Sequence, residues 1–202
     1  MATFIMLPDG VTGTNEWDNP SGGTAAASNF DEDDGDTDYG RAIANQEISL
    51  TFADPPVDAS AIDTITSVQI KTKSRYTSIT VPATSVNLKF TMGSTSMGLI
   101  IANGTTTAAV NGSATYQEIN SDVEQYRTGT TAWSYVAIEA LKVKLEASGL
   151  FARFKRLRTS YVYAEVTYVP VGYGNNVLGV SGGDISEVTD VPTANISKVI
   201  GV

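Results

Sequence analysis

The chain has 202 residues, 13 Lys and Arg against 22 Asp and Glu for a net charge of −9, and neither cysteine nor histidine. Without Cys there is no disulfide framework, thiolate nucleophile or Cys-held metal; without His there is no Ser-His-Asp triad, imidazole acid or base, or His-ligated metal. The length suits one domain with appendages, and a composition 42% hydrophobic but only 17% charged favours strands and turns over surface helices.

The segment Met1–Pro8 lacks the basic start and long apolar run of a secretory signal. No stretch approaches the ~20 apolar residues of a membrane span. Residues 2–7 read as a short strand. Residues 8–45 are dominated by Gly, Asn, Ser, Asp and Pro, hold no steady period, and read as irregular. From Gln46 the texture changes. Ile48, Leu50 and Phe52 alternate with Ser49 and Thr51, and Pro55-Pro56 ends that strand. Val68, Ile70 and Thr72 alternate with Gln69, Lys71 and Lys73, and Val86, Leu88 and Phe90 alternate with Asn87, Lys89 and Thr91. Both are strands with one buried face and one polar or basic face.

Met97–Ala102 and Thr105–Val110 flank Asn103-Gly104, a two-residue hairpin signal. Asn111-Gly112 is a second such turn, before a strand over Thr115–Ile119. Trp133–Ala140 is the one helical stretch, with Thr131 or Ser134 as its cap. Leu141, Val143 and Leu145 continue as a strand, and Leu150–Leu157 and Tyr161–Val169 are two further strands joined near Arg158–Ser160. The fold expected is all-β: an antiparallel β-sandwich or barrel with one short helix. Residues 1–45 form an acidic N-terminal strap, residues 46–170 the sandwich, and residues 171–202 a C-terminal assembly arm. In that arm Ile185-Ser186-Glu187-Val188 recurs as Ile196-Ser197-Lys198-Val199. An apolar, β-prone tail is better placed against a neighbouring chain than in water.

Charge is segregated. Residues 1–63 hold thirteen acids and one base, residues 64–170 eleven bases and six acids. The acidic segment is therefore expected to lie over the basic middle of its own or another chain, or simply to keep a loop solvated. Its densest part is 31–38, where Asp31, Asp33, Asp34 and Asp36 are candidate ligands for a structural Ca²⁺, a hard cation that takes six to eight oxygens. The spacing is not that of an EF-hand loop, and a solvated loop, or a strap paired with Lys and Arg, is the expected use. No other cofactor is expected. Arg153, Lys155, Arg156 and Arg158 form a basic cluster. In so acidic a chain they are expected to dock an acidic partner, residues 31–38 or a neighbouring subunit, rather than nucleic acid. The acids Glu118, Asp122, Glu124, Glu139 and Glu165 sit in no recognisable catalytic motif, there is no P-loop, and no enzyme activity is expected. Trp17, Tyr39, Tyr76, Tyr116, Tyr126 and Tyr173 lie in or near loops, where aromatic rings stack on sugars or bury in interfaces.

The order of features resembles a family. An acidic stretch ending in Asp36-Thr37-Asp38-Tyr39 precedes Ile65–Lys73; then come Thr131–Leu141 with Trp133, Lys142–Leu145, and the closing Tyr161–Tyr168, whose tyrosines read mainly as packing residues. This series resembles the jelly-roll β-sandwich domain of tailed-bacteriophage virion structural proteins, over roughly residues 30–170, and the end Ala194–Val202 is similar to C-terminal segments of phage particle proteins. The resemblance implies a non-enzymatic virion protein, a capsid decoration or cement protein on the particle exterior or a head or tail fibre subunit. It would oligomerise in the particle and contact other virion proteins, the major capsid protein or tail and neck components, with no nucleic acid and no membrane as partner. In the arm, Ile185, Val188, Ile196 and Val199 would make those contacts. A carbohydrate-binding module that attaches to cell-surface polysaccharide is the other reading the sequence leaves open.

Overall fold

The period-two segments fold as strands, in a computed structural model that describes residues 1–34, 36–76, 86–94, 105–110, 115–128, 130–149, 155–172, 187–188 and 191–192. In chain order the strands are β1 (Ala2–Met6), β2 (Pro8–Asn15), β3 (Gly40–Ala42), β4 (Glu47–Phe52), β5 (Ile62–Tyr76), β6 (Val86–Ser94), β7 (Thr105–Ala109), β8 (Gln117–Asn120), β9 (Tyr126–Thr128) and β10 (Thr131–Ala132). Helix α1 (Tyr135–Glu139), β11 (Leu141–Gly149), β12 (Leu157–Pro170), β13 (Glu187–Val188) and β14 (Val191–Pro192) follow. The Asn103-Gly104 and Asn111-Gly112 turns and the strand expected over Met97–Ala102 lie outside the described residues.

Two antiparallel five-stranded sheets carry the fold. The first runs β1-β12-β5-β8, and residues Leu157–Thr159 of β12 pair with β5 on one side and β3 on the other. The second runs β2-β4-β11-β6-β7. The pairing is nested: β1 meets β12, β4 meets β11, β5 meets β8 and β6 meets β7, each pair enclosed in sequence by the one before. The pairs β5–β12 and β6–β11 complete the sheets.

Alternation decides which face is inside. Ile65, Val68, Ile70, Val162, Ala164 and Val166 of the first sheet share one core with Ile48, Leu50, Leu88, Phe90, Val143 and Leu145 of the second. Each Val, Leu, Ile or Phe among them gives about 1.5–3 kcal/mol when moved out of water. The apolar phase gives way to hydroxyls at Thr72 and Ser74, which stay fully buried because they find partners. The Thr72 hydroxyl donates to the Ile119 carbonyl at 2.7 Å, and the Ser74 and Thr159 hydroxyls lie 2.8 Å apart.

Three sequence expectations change. Residues 8–15 are not irregular but form β2, an edge strand in which Pro8 takes the first position, where a missing N–H costs no ladder bond. Arg158–Ser160 is not a turn: β12 runs on from Leu157, and a register shift between Thr159 and Tyr161 absorbs Ser160 as a bulge. The helix is shorter than the apolar run and starts at Tyr135, where the Ser134 hydroxyl accepts from the Ala137 amide at 3.2 Å. Thr131, the other candidate cap, lies in β10.

The stretch between β2 and β3 is pinned by a buried aromatic pair. Trp17 and Phe30 are both fully buried, their ring centroids 6.0 Å apart in an edge-on arrangement. The Trp17 indole N–H donates to the Gln46 carbonyl at 3.2 Å. Gly40 lies against both rings: a Cβ there would sit 2.2 Å from Phe30 Cζ and 3.0 Å from Trp17 Cε3. Glycine is required for this close approach. Gly40→Ala is expected to destabilise the chain by about 1–3 kcal/mol through overpacking, measured as a lower urea midpoint at unchanged slope. A midpoint equal to that of the parent chain would count against this packing.

Candidate functional site

The outward face of the first sheet carries the densest chemistry. On β5, Lys71, Lys73 and Arg75 alternate with the buried Ile70, Thr72, Ser74 and Tyr76, so all three bases leave the sheet on the solvent side. Register places Tyr163 opposite Lys71 and Tyr161 opposite Lys73 on β12, with Asn120 and Glu118 opposite the same two lysines on β8. The Tyr161 and Tyr163 rings are 4.9 Å apart. Lys71 Nζ lies 2.9 Å from a Glu165 oxygen, and that hydrogen bond lifts its pKa above the ordinary lysine value against the opposing effect of desolvation.

The acidic segment lies across this face. It is anchored at its start by backbone: the Val162 amide donates to the Phe30 carbonyl at 2.8 Å, and Asp31 forms an antiparallel bridge with Tyr161. Near its end the buried Asn29 amide group donates to Asp38, while Asn29 Oδ1 accepts from the Ala26 amide at 2.6 Å. Between the anchors, Asp33 pairs with Lys73, whose pKa is raised first of all by that hydrogen bond. Asp36 accepts from two arginines at one oxygen, Oδ1: Arg75 Nη2, and Arg158 Nη1 at 3.0 Å. Each guanidinium also stacks on a ring, Arg75 at 4.9 Å from the Tyr116 centroid and Arg158 at 4.7 Å from that of Tyr39. Such stacking adds about 0.5–2 kcal/mol depending on desolvation, whereas an exposed ion pair is worth ~0.2–1 kcal/mol.

The two arginines are better buried than their counter-ion. The Arg75 side chain is 11% exposed and that of Arg158 28%, against 57% for Asp36. The bases are held by rings and strands; the acid sits at the surface.

The sequence-derived residues distribute as follows. Arg158 joins this cluster. Lys155 is exposed and Arg156 half-buried, two and one positions before β12. Arg153, Ile185, Ile196 and Val199 lie outside the described residues, and Val188 pairs with Val191 between β13 and β14. Of the four candidate calcium ligands, Asp33 and Asp36 face cations, Asp31 bridges to β12 through its backbone, and Asp34 has one buried carboxylate oxygen with no hydrogen-bond partner. Among the described residues no three carboxylates gather as a metal ion would need.

Of the loop aromatics, Trp17, Tyr39 and Tyr76 are buried, Tyr116 is half-buried under Arg75, and Tyr126 is 43% exposed; Tyr173 lies outside the described residues. Tyr161 and Tyr163, read from sequence as packing residues, are half-exposed on the outward face. Sequence reasoning also passed over Arg75, although it continues the alternating basic phase of Lys71 and Lys73 by one step.

No helix among the described residues is long and apolar enough to cross a membrane. The chain matches no protein-family model and no curated protein.

The cluster sets the titration of Tyr116. Burial, then the nearby Asp36 charge, push its phenol up to about 12, with Arg75 and Arg158 opposing. An unperturbed tyrosine titrates near 10. The unfolded chain therefore loses this proton first, so the contribution of Tyr116 to stability is intact below about pH 10 and lost as pH rises through the folded value. Spectrophotometric base titration is expected to show late phenol ionisation that Tyr116→Phe reduces by one group. An undiminished late step in Tyr116→Phe would show the assignment to be wrong.

Proposed function

We propose that the chain is a non-enzymatic structural protein of a tailed-bacteriophage virion, built on a jelly-roll sandwich. The observation that carries this reading is the nested strand pairing. A jelly roll is one long antiparallel hairpin rolled into two sheets, so its strands pair from the outside of the sequence inward. The pairs β1–β12, β4–β11, β5–β8 and β6–β7 follow that order, and the two sheets enclose a single core. β2 and β3 are additions at the flanks.

The role is mechanical. A densely cored sandwich is a stiff block, and segments outside it supply contacts to neighbours. The best placement is the particle exterior, as a capsid decoration or cement protein, with a head or tail fibre subunit as the related placement. Weak contacts repeated over a symmetric lattice add up through effective concentration. The apolar, repeated sequence of residues 171–202 supports an arm that crosses to a neighbouring subunit or virion protein.

One observation favours a second reading, a carbohydrate-binding module. The Tyr161–Tyr163 pair is half-exposed and flanked by Lys71, Glu165 and Glu118, an aromatic surface with donors and acceptors beside it.

Immunogold labelling of particles, with antibody to the recombinant sandwich, separates the two. Gold over the whole head is expected for a decoration protein, and gold at the neck or tail for a fibre or adaptor. Unlabelled particles beside labelled cells would overturn the virion reading in favour of carbohydrate binding. Deleting residues 173–202 is expected to leave a folded chain that no longer enters particles, measured by quantifying both chains in purified virions. Equal incorporation would refute the arm.

A further inference from the structure

We propose that Arg75 and Arg158 form a receptor for carboxylates, and that it takes the acidic segment 31–38 of a second copy of this chain in exchange for its own Asp36. The receptor stands whether the chain serves a virion or a cell surface, because it depends only on the two arginines and the acids around them.

Two asymmetries lead to it. The first is in construction. The guanidiniums are fixed from behind, Arg75 by the Tyr116 ring and Arg158 by the Tyr39 ring, on neighbouring strands where Arg75 and Arg158 are register partners. Both donate to the same oxygen of one carboxylate, so two positive charges converge on one negative charge. Guanidiniums are suited to binding carboxylates in this way, and those already held by rings lose less freedom when they bind. Asp36, by contrast, is more than half exposed and meets the clamp from the solvent side. A carboxylate arriving from solvent reaches the same donors along the same path.

The second asymmetry is in charge. Six of the eight residues 31–38 are acidic. Asp33 and Asp36 meet bases and Asp38 meets Asn29, while Asp31, Glu32 and Asp34 make no ion pair among the described residues. On the other side, the exposed Lys155 and half-buried Arg156, just before Arg158, make none there either. One molecule thus carries surplus acid and surplus base beside one clamp. A second copy presents the complement of both, which makes the surface self-complementary. Unlike charges brought together this way steer and register the encounter.

The test is fluorescence anisotropy of a labelled synthetic peptide with the sequence of residues 30–39, titrated with the full chain at low salt. Asp36→Asn removes the resident competitor. It is expected to bind the peptide roughly tenfold more tightly than the parent chain, the gain when an occupant present about nine-tenths of the time is removed. Adding Arg158→Ala is expected to abolish the gain, and about 0.15 M salt to weaken it. Equal binding by the parent chain and Asp36→Asn, or a gain that survives loss of Arg158, would overturn the receptor. If Asp36→Asn does not fold, sedimentation of the unaltered chain decides. Self-association at low salt that Lys155→Glu with Arg156→Glu removes supports the exchange, and a monomer at every concentration refutes it.

Discussion

The ladder between β5 and β12 is the constraint on which the rest depends. It runs from Leu157 opposite Tyr76 to Pro170 opposite Ile62, with three register shifts along the way. It joins the two longest strands among the described residues, and each strand has two faces. Inward it contributes Val68, Ile70, Val162, Ala164 and Val166 to the core shared with the second sheet. Outward it sets Lys71, Lys73, Arg75, Arg158, Tyr161 and Tyr163 on one surface. Because side chains alternate along a strand, a slip of one residue would exchange the two sets. The core fixes the register, since it cannot accept lysines. The charged, tyrosine-bearing surface is thus ordered by apolar packing on the opposite side of the same strands.

The acidic segment is held in place by the same logic carried through a small number of buried contacts. Its charges alone would not fix it, because exposed ion pairs are weak and screened by salt. What fixes it is Phe30, buried against Trp17 over the bare Cα of Gly40, with its carbonyl bonded to Val162. The segment that follows therefore leaves the core at a set point beside β12 and reaches Lys73 and the arginines within a few residues. Apolar burial places the segment, and electrostatics aligns it.

Much of this was legible in the sequence. The alternation at Ile48–Phe52, Val68–Lys73, Val86–Thr91 and Leu141–Leu145 marked strands and their buried faces, because a half-buried strand needs a period of two. Segregated charge pointed to the acidic segment meeting bases, and Asp33–Lys73, Asp36–Arg158 and Glu47–Lys144 are such pairs. What stayed hidden is non-local. No local pattern states that β1 pairs with a strand more than 150 positions away. Trp17 sits among Gly, Asn and Asp with no period around it, and only the arrival of Phe30 and Gly40 makes its site apolar. The bulge at Ser160 was hidden as well, since Arg-Thr-Ser reads as a turn unless the β5 ladder is known to continue through it. The arginine clamp needs both kinds of information: local alternation for Arg75, and long-range register to bring Arg158 beside it.

The charge arrangement also bears on why so acidic a chain sets Lys71, Lys73, Arg75 and Arg158 on one face. The whole chain, with a net charge of −9, repels its own copies where salt does not screen it, which keeps free chains apart. Short-range order then has to come from a place where the sign reverses. The outward face of the first sheet is such a place, and the acidic segment covers only part of it. At separations beyond about 10 Å in 0.1 M salt the net charge is screened, and the local pattern decides. Two copies can then approach at a surface that carries both signs. The segregation of acids into the first third of the chain and bases into the middle is what a self-complementary contact of this kind requires, because it lets one copy's early residues meet the other's late strands.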